Sequence, residues 1–544
     1  MVRSGNIPVW KEYGYQPRAD RSRKKERAKI LIVGAGPVGL AMALDLGRRG
    51  LDVIIINALD FIPAGSKAIC FSKRSLEIFD RLGVGDRLLE KGVVWERGKV
   101  FWREGADPIY EFDLAPIKDQ KYPAFINIQQ YYVEEYLVDE VERTPSIDLR
   151  WRHEATKLIQ SENFVAVAIE TPDEAYEIEA DYVIACDGNR SPVRNMLGLD
   201  FVGRIFEDNF LIADIRLKQE RPAERWFHFE PPWPGASSLV HKQPDDVWRL
   251  DFQLGWDIDK KEAVKPENVR PFVRGLLGDH VDYEFEWLSV YTFQCRRMER
   301  FLHDRVIFVG DSAHLVSPFG ARGCNGGLQD VINLGWKLER VLNGSSSPAL
   351  LETYNAEAIT VADENILNST RSTDFMTPKS KMAETFRNAV LELASEHQFA
   401  RPFVNSGRLS KAVNYGLSAL ATLDEDHFLS GPAPGDICID APIVSDGDND
   451  WLLSQLGPQF TLLLFSTEAI EAIDGVAIIE VRQQGGAPNS GIVDHSGLAH
   501  ERYDADGGAV YLIRPDQHVA ARWRTLDRYE ILKALSKATG GELQ

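Results

Sequence analysis

The sequence predicts an α/β fold with three parts: a domain around a parallel sheet, an antiparallel sheet, and a small C-terminal α/β domain. Three observations lead to this prediction. An apolar strand, residues 30–33, runs through a glycine-rich turn into a helix and then a second apolar strand, residues 51–56, which is the pattern of a βαβ unit. Residues 200–294 alternate large apolar and polar side chains, as antiparallel strands do. Residues 431–544 combine short apolar strands with a helical period.

Composition argues against several classes of protein. The 544 residues carry a formal net charge of −20, which disfavours nucleic acid as a partner because phosphate binding needs a basic surface. Apolar runs stay well below the ~20 residues of a membrane-spanning helix, and the N-terminus lacks the apolar core of a signal peptide, so we expect a cytoplasmic protein that does not enter a membrane. The 5 cysteines are dispersed without CxxC spacing and predict free thiols and no metal site.

The turn of residues 34–39, GAGPVG, has the spacing of a dinucleotide-binding loop. Gly34 permits the sharp turn, Gly36 lets a pyrophosphate approach the backbone, and Gly39 allows close packing of helix on strand. Pro37 and Val38 begin the helix, whose free N–H groups and dipole attract phosphate. An ordinary glycine-rich turn is the alternative, but the flanking strand and helix favour the dinucleotide site.

Three polar residues after this loop are candidates for the same ligand. An acidic residue usually ends the second strand and binds ribose hydroxyls; here the position is Asn57, whose amide can still hydrogen-bond a hydroxyl. Lys67 and Arg74 lie near the start of a predicted helix over 72–83 and could face phosphate groups. A charge at a helix start is more often solvated.

We divide the chain into five segments. Residues 1–28 are a polar arm, and solvation explains its basic cluster at 21–27 better than an anionic ligand does. The remaining boundaries are a discontinuous parallel-sheet domain of residues 29–92, 126–199 and 295–375, a sheet domain of residues 93–125 and 200–294, a helical connector of residues 376–430, and a C-terminal domain of residues 431–544.

Three separated motifs share one design, an apolar strand followed by a sharp turn with small or polar residues. They are residues 34–39, 186–194 and 310–327. Ligands of open α/β sheets bind outside the carboxyl ends of the strands, so these motifs should meet at one crevice. The aromatic sheet of residues 200–294 would then be a natural wall for a flat apolar substrate.

These motifs resemble those of a known family. GAGPVG (34–39), CDGNRSPVR (186–194) and GDSAHLVSPFGARGCNGGLQDVINLGWKL (310–338) are similar to the motifs of single-component FAD-dependent aromatic hydroxylases of the phenol hydroxylase and p-hydroxybenzoate hydroxylase type. The resemblance is nearest to larger members such as pentachlorophenol and 3-(3-hydroxyphenyl)propionate hydroxylases, and it runs from about residue 29 to the C-terminus. It implies a Rossmann-like FAD-binding domain of the p-hydroxybenzoate hydroxylase type, a substrate-binding sheet, and a thioredoxin-like C-terminal domain. Cys438 is that domain's single cysteine, which excludes thiol redox chemistry there and leaves a structural or dimer role.

The resemblance also implies roles for particular residues. It places Asp311 at the ribityl chain of FAD, Asn325 and its neighbours at the pyrimidine edge of the flavin ring, and Pro318 over the reactive C4a face. From the local pattern and the resemblance together, the residues predicted to contact FAD are Gly34, Gly36, Pro37, Val38, Gly39, Asn57, Lys67, Arg74, Gln130, Asp187, Gly188, Gly310, Asp311, Pro318, Gly323, Cys324 and Asn325. Asn57 departs from the family's glutamate, and Arg322 replaces a small or amide residue; Arg322 would touch substrate or flavin, or face solvent.

The activity that the resemblance implies is hydroxylation of a phenol. NADH or NADPH would reduce FAD, and O2 would form a C4a-hydroperoxide that transfers oxygen to the ring. No second GxGxxG follows a strand, so the nicotinamide cofactor would dock without its own Rossmann domain. The catalytic candidates are Pro318, Arg322, His228, His241 and Tyr291, with Arg225 and Arg249 as further polar groups. For each of these polar groups a surface or core role is the alternative, so the base is not identified. The rival functions are an FAD-dependent reductase or dehydrogenase and a non-catalytic FAD-binding protein, and we expect a homodimer.

Overall fold

A computed structural model describes most of the chain. It covers residues 8–18, 21–65, 67–105, 107–114, 118–234, 236–405, 410, 412–416, 418–466, 468, 470–483 and 492–541, with only the backbone described at 204–208 and 405. Part of the predicted N-terminal arm, residues 1–7, 19 and 20, lies outside the described residues.

The chain alternates strands and helices in its first third and then enters long strands. The strands are β1 (Val9–Glu12), β2 (Lys25–Val33), β3 (Val53–Asn57), β4 (Phe61–Pro63), β5 (Cys70–Ser72), β6 (Val93–Val94), β7 (Arg97–Trp102), β8 (Tyr110–Asp113), β9 (Phe125–Asn127), β10 (Ile147–Trp151), β11 (Glu154–Gln160), β12 (Val165–Glu170), β13 (Ala175–Ala185), β14 (Val202–Leu217), β15 (Glu224–Phe229), β16 (Ser237–Lys242), β17 (Val247–Gly255), β18 (Tyr283–Arg297), β19 (Leu302–His303), β20 (Val306–Phe308), β21 (His314–Leu315), β22 (Pro442–Ser445), β23 (Asp448–Trp451), β24 (Phe460–Phe465), β25 (Val476–Gln483), β26 (Ile492–Asp494), β27 (Ala509–Ile513) and β28 (Val519–Trp523).

The longest helices follow the second sheet. The α-helices are α1 (Pro37–Arg48), α2 (Lys73–Arg81), α3 (Gly85–Lys91), α4 (Gln130–Glu142), α5 (Pro192–Met196), α6 (Lys260–Ala263), α7 (Pro266–Leu277), α8 (Gly323–Leu342), α9 (Leu350–Met376), α10 (Lys381–Glu396), α11 (Arg401–Asn405), α12 (Leu498–Arg502) and α13 (Arg528–Ala538). Within the described ranges, none of these helices combines the length and the apolar character needed to cross a bilayer.

The first sheet brings the three motifs to one edge. Its parallel strands run in the order β10-β3-β2-β13-β20, and β12 and β11 extend it in antiparallel fashion from the other part of β13. The last residues of the strands are in register, with Val33 beside both Ile56 and Ala185, and Ala185 beside Phe308. Because the carboxyl ends of parallel strands share an edge, the turns after β2, β13 and β20 adjoin one another.

The second sheet covers this edge. Its order is β21-β18-β14-β17-β16-β15-β7-β8, and its neighbours are antiparallel except for β7 and β15, which are parallel. The sheet is therefore mixed rather than purely antiparallel, because β7 joins it from a separate excursion of the chain. One face packs Trp248 and Leu250 against Val269 of α7. The opposite face, called the inner face below, packs Phe293 against Phe319 of the third motif.

The C-terminal residues form a third, mixed sheet in the order β23-β22-β26-β25-β24-β27-β28. A buried ionic network joins it to α8 and α9. The Glu357 carboxylate accepts hydrogen bonds from Arg514 at 2.7 and 3.0 Å and from the Lys337 ammonium at 2.6 Å. Arg514 also pairs with Asp516, which accepts a 3.1 Å bond from the Trp336 indole. These opposite charges hold the pKa of Glu357 below its usual value.

The basic N-terminal cluster pairs with acidic residues of the chain itself. Strand β2 begins at Lys25, earlier than the apolar pattern predicts, and its extension lies beside β13. Lys25 contacts Glu177 at 2.8 Å, and Arg27 pairs with Asp181. The Lys25 and Arg27 side chains remain 69% and 51% exposed, so the cluster is solvated and also pairs across the strands with acidic residues of β13.

Candidate functional site

The glycine loop has the geometry that a phosphate-binding turn requires. A Cβ atom on Gly34 would lie 2.5 Å from the Cys186 carbonyl oxygen, and one on Gly39 would lie 1.9 Å from the Gly34 oxygen. A Cβ on Gly36 would meet no atom of the described residues within 4 Å, so the backbone is open there. Gly36 is also the N-cap of α1, and no side chain in the described part of the chain caps this helix. Its first N–H groups are therefore available to a phosphate.

Val38 joins the glycine loop to the third motif. Its side chain packs against both Gly310 and Gly327. A Cβ added to Gly310 would lie 3.2 Å from the Val38 methyl carbons, and a Cβ added to Gly327 would lie 2.8 Å from one of them. Pro37 is the first residue of α1, where its missing N–H costs nothing. The first and third motifs thus meet directly, as their shared strand-turn design predicts.

Asn57 contacts the glycine loop through its amide. Its Oδ1 accepts a 3.2 Å hydrogen bond from the Ala35 N–H, and its Nδ2 donates to the Leu59 carbonyl at 3.2 Å. The side chain therefore holds the loop to the end of β3. Its predicted ribose contact stays a prediction.

Asp187 and Gly188 follow β13 at the same edge. Asp187 Oδ2 accepts a 2.9 Å hydrogen bond from the Val193 N–H, whereas its buried Oδ1 finds no hydrogen-bond partner among the described residues. Burial raises the pKa of this carboxyl. Gly188 has φ 79°, a left-handed conformation that favours glycine. A buried carboxylate oxygen without a donor indicates a missing polar partner such as a ligand or water.

Asp311 follows β20 and is exposed on the crevice wall. Its Oδ1 lies 3.9 Å from the place of a Cβ on Gly323, at the start of α8. Desolvation by the walls of the crevice raises the pKa of Asp311, while the nearby positive charges of His314 and Lys67 oppose that rise. Behind it, Asp330 Oδ2 accepts a 3.0 Å bond from the Gly310 N–H and lies 2.7 Å from His314 Nε2. This buried pair fixes the turn that presents Asp311.

The start of α8 points toward Asp311 without a side-chain cap. The Gly326 N–H bonds to the Arg322 carbonyl at 2.8 Å, so the N–H groups of residues 323–325 precede the helical hydrogen-bond pattern. The Asn325 side chain does not face the crevice. Its Oδ1 accepts a 3.0 Å hydrogen bond from the Ser72 N–H, and its Nδ2 donates a 3.0 Å hydrogen bond to the Cys70 carbonyl. The side chain ties α8 to β5, so a contact of Asn325 with FAD would have to come from its backbone.

A second polar group reaches the crevice from α4. Gln130 Oε1 accepts a 3.0 Å hydrogen bond from the Ala68 N–H, and its Nε2 donates a 2.9 Å hydrogen bond to the Glu134 carboxyl group. Burial raises the pKa of Glu134 to about 7, opposed by the bond from Gln130 and the charge of Lys67. The sequence analysis missed Glu134. Its spacing four residues after Gln130, one helical turn, was the available signal.

Aromatic side chains line the inner face beside the third motif. The Phe210 and Phe293 rings stack at 4.6 Å, and Phe319 meets them edge-on at 5.2 and 5.4 Å. Tyr291 lies 5.5 Å from Phe293 and is 41% exposed. Burial and the negative charge of Asp311 raise the pKa of Tyr291 to about 12. Pro318 is exposed next to Phe319, so this end of the inner face opens on the crevice.

Polar side chains occupy the other part of the inner face. Cross-strand pairing places Arg225 beside His241, and His241 beside Arg249. Arg249 bonds to Asp251 at 3.0 Å and to the Lys67 carbonyl at 3.2 Å. Burial and the two arginines lower the pKa of His241 well below its usual value, so the ring is neutral.

Three predicted site residues point elsewhere. His228 lies on the opposite face of β15, stacked on Phe101 at 4.4 Å, and burial lowers its pKa to about 3. Arg322 is buried and donates a 3.0 Å hydrogen bond to the Asn365 side chain of α9, so it faces neither solvent nor the inner face. Arg74 donates a 2.9 Å hydrogen bond to the Asp516 carbonyl, because the C-terminal domain covers this side of α2. Its assignment as a phosphate contact is wrong on this geometry.

Comparison with known proteins identifies the fold and its relatives. The 12-dehydrotetracycline 5-monooxygenase/anhydrotetracycline 6-monooxygenase of Streptomyces rimosus is 28% identical over 509 residues, 91% of this chain and 95% of the relative. The 3-(3-hydroxy-phenyl)propionate/3-hydroxycinnamic acid hydroxylase of Burkholderia cenocepacia is 27% identical over 527 residues, 92% and 95% of the two chains. The structure of flavin-dependent monooxygenase PieE with FAD and substrate superposes with a TM-score of 0.79 at 22% identity, over 94% of this chain and 99% of that one.

The crevice fits FAD. The open backbone at Gly36 and the uncapped start of α1 suit a pyrophosphate, and the exposed Asp311 carboxylate suits polyol hydroxyls. Residues 27–369 match the model of the FAD binding domain family. The chain therefore belongs to that family and, as its sequence motifs predict, is one of the FAD-dependent aromatic hydroxylases.

Proposed function

We propose that this chain uses O2 and NADH or NADPH to hydroxylate a phenolic compound held between the crevice and the inner face. The juxtaposition of Pro318 and Phe319 with the Phe210–Phe293 stack supports this most directly. Asp311 lies close by, since its charge acts on Tyr291 of the same face. A flat ring placed there would lie next to the cofactor. A hydroxyphenyl group in the name of one relative's substrate supports a phenol.

FAD, when bound, supplies the redox chemistry that takes a hydride from the nicotinamide and activates O2. The chain's own groups would bind it and tune its charge. The N–H groups of residues 323–325 and the positive end of α8 would stabilise negative charge on the flavin ring. Asp311 would hydrogen-bond the polyol hydroxyls. The glycine loop would hold the pyrophosphate.

The inner-face side chains position the substrate and exclude water. Phe210, Phe293 and Phe319 offer ring contacts and leave little room for solvent. Tyr291, with a pKa of about 12, keeps its proton at neutral pH and donates a hydrogen bond to a substrate oxygen. His241 stays neutral and is a weaker base than a histidine in water, so it binds substrate as a hydrogen-bonding group.

The decisive experiment measures oxidation and product together. Purified protein is loaded with FAD, supplied with NADH or NADPH and a phenol panel, and scored for nicotinamide oxidation, O2 uptake, peroxide and hydroxylated product. A phenol that stimulates oxidation and yields hydroxylated product in step supports the proposal. Oxidation without O2 incorporation would instead indicate a reductase or dehydrogenase. A protein that binds FAD while no phenol stimulates oxidation would contradict the proposal.

We propose that the chain forms a homodimer through the outer stripe of α10. Met382, Phe386 and Leu393 lie within one helical stripe and are 83%, 66% and 44% exposed. An apolar stripe of this kind favours burial against a second copy. Light scattering after size-exclusion chromatography tests this. A monomeric wild type, or a Phe386→Ser variant that dimerises like wild type, would exclude this interface.

We further propose that residues 431–544 are a thioredoxin-like domain of structural duty and that the protein is cytoplasmic. The mixed sheet with α12 and α13 beside it supports the first point. The cysteines are free thiols, as a reducing compartment allows. Cys438 is buried and its pKa is raised by that burial, so it is unreactive. A Cys438→Ala variant should keep full activity under oxidising and reducing conditions.

A further inference from the structure

Arg74 lies in the first turn of α2 but finds hydrogen-bond partners in the C-terminal domain. Its guanidinium donates a 2.7 Å hydrogen bond to the Gln517 side chain and a 2.9 Å hydrogen bond to the Asp516 carbonyl. Within α2, it lies 3.2 Å from Glu77 Oε2. Arg74 is 5% exposed, so water does not replace these partners. Because breaking such bonds leaves a buried cation with unsatisfied donors, Arg74 fixes α2 against the C-terminal domain.

The turn that carries these partners is itself held in place. Asp516 and Gln517 belong to the connection between β27 and β28. The buried Asp516 carboxylate accepts a 3.1 Å hydrogen bond from Arg514 in the same turn. The Gln517 Nε2 donates a 3.2 Å hydrogen bond to the Leu453 carbonyl. The turn therefore presents two hydrogen-bond acceptors to Arg74 in fixed positions.

The same turn of α2 also contacts the start of α8. Arg74 lies between Ser72, the N-cap of α2, and Ser75. Asn325 Oδ1 accepts a 3.0 Å hydrogen bond from the Ser72 N–H and a 2.5 Å hydrogen bond from the Ser75 hydroxyl. All these side chains are buried. One turn of α2 is thus held to the C-terminal domain by Arg74 and to α8 by Asn325.

We infer that the C-terminal domain keeps the first turn of α8 in the position that the flavin needs, and that Arg74 is the positioning residue between them. This inference rests on the proposed function, which puts the flavin ring at the N–H groups of residues 323–325. The field of a helix N-terminus falls off within one turn, and hydrogen bonds weaken steeply when their geometry is disturbed. A small displacement of α8 should therefore weaken FAD binding. Arg74 acts through α2, since its guanidinium faces the C-terminal domain.

Two variants break the tie from its two sides. Arg74→Gln removes the guanidinium. Gln517→Asn shortens the acceptor by one methylene, and asparagine suits the left-handed backbone at this residue, φ 64°. Each variant should raise the Kd for FAD about tenfold, the size of one hydrogen bond to a charged group, in a titration of apoprotein followed by flavin fluorescence. Arg74→Lys keeps the charge and should lie between wild type and Arg74→Gln.

Arg502→Gln is the matched control. Arg502 donates 2.8 Å hydrogen bonds to the Lys118 and Asp119 carbonyls, so it ties the C-terminal domain to a different segment of the chain. This variant can lose stability but should keep the Kd for FAD within about twofold of wild type, as expected of an independent site. It should also keep the visible absorption spectrum of bound flavin, which Arg74→Gln should shift.

Hydrogen–deuterium exchange of the apoprotein reads the position of α8 without the cofactor. Arg74→Gln should speed amide exchange in peptides that cover residues 72–75 and 323–330, because local opening becomes easier there. Arg502→Gln should leave exchange in these peptides as in wild type. If Arg74→Gln does not fold, Gln517→Asn and Arg74→Lys provide the same comparison.

A double-mutant cycle with Asn325→Ala decides whether Arg74 acts through α8. The effect of Arg74→Gln on the Kd for FAD should be smaller in the Asn325→Ala background, because the two residues hold one turn, and the effect of Arg502→Gln should be the same in both. Equal effects of Arg74→Gln in the two backgrounds, or unaltered exchange at 323–330, would overturn the inference. Weaker FAD binding in Asn325→Ala but not in Arg74→Gln would also overturn it. Unchanged binding in both variants would instead refute the proposed place of the flavin at α8, and the inference with it.

Discussion

The substitution Gly36→Ala should weaken FAD binding in a protein that is otherwise intact. A Cβ at this position meets no protein atom within 4 Å, and Gly36 has φ −79° and ψ −177°, which alanine adopts without strain. The apoprotein should therefore keep its stability. The same methyl group would stand where a pyrophosphate approaches the backbone at the start of α1.

The expected loss follows from the bonds at that point. A hydrogen bond from a backbone N–H to a charged oxygen contributes about 1.5–3 kcal/mol. Displacing the phosphate enough to break one such bond should raise the Kd for FAD roughly 10- to 150-fold, at 1.4 kcal/mol for each tenfold change.

Titration of apoprotein with FAD, followed by flavin fluorescence, measures this change, and thermal melting of the apoprotein measures the fold. Gly507→Ala is the control, because a Cβ there also meets nothing within 4 Å but lies in the C-terminal domain. Gly39→Ala is the contrast. Its Cβ would lie 1.9 Å from the Gly34 carbonyl, so this variant should lose stability as well as FAD.

Wild-type FAD affinity in Gly36→Ala would refute the assignment of the open backbone to the pyrophosphate. A drop in apoprotein stability equal to that of Gly39→Ala would refute the claim that the space at Gly36 belongs to the ligand.

Three further predictions concern buried polar groups. Glu357→Gln removes the carboxylate that the buried Lys337 and Arg514 share and should cost about 3–5 kcal/mol of unfolding free energy, seen as an earlier urea transition in tryptophan fluorescence; an unmoved midpoint would contradict it. Glu134, with its pKa raised to about 7 from 4.5, binds a proton in the folded state that the unfolded state has released, so stability should fall as pH rises from 4.5 to 7, by about 3 kcal/mol. Glu134→Gln should flatten the fall of unfolding free energy with pH, measured by urea denaturation at several pH values across this range. An unaltered pH dependence would show that another group titrates. Asn325→Ala leaves the Ser72 N–H without its acceptor and should cost about 1–3 kcal/mol in melts of the apoprotein, together with weaker FAD retention; a stable variant would show that the tie to β5 is dispensable.

The glycine loop and its flanking strands were predictable from sequence because each depends on local pattern, whereas FAD as the cofactor came from the resemblance of three motifs to a known family. The spacing of Gly34, Gly36 and Gly39 needs only the strand before it and the helix after it, and the comparisons confirm the FAD-binding family. The convergence of the three motifs also followed from one rule, that parallel strands share their carboxyl edge. The atomic contacts agree, since Val38 touches both Gly310 and Gly327.

Side-chain direction was not predictable, because long-range packing sets it. His228 and His241 both lie in strands that are buried on both faces, so alternation along the strand does not tell which face meets the crevice. Only the pairing of β15 with β16 puts Arg225 and His241 on the inner face and His228 behind it. The direction of the Arg322 side chain was unpredictable for the same reason. Its neighbour in the fold is Asn365 of α9, about forty residues further along the chain.

Arg74 shows the same limit. It lies at the start of a helix near the glycine loop, where a basic residue could face phosphate, yet its guanidinium donates hydrogen bonds to residues of the C-terminal domain. Local pattern encodes strands, turns and helix starts, because their hydrogen bonds close over a few residues. The partner of a buried charge is chosen by segments hundreds of residues apart, and only the folded chain brings those together.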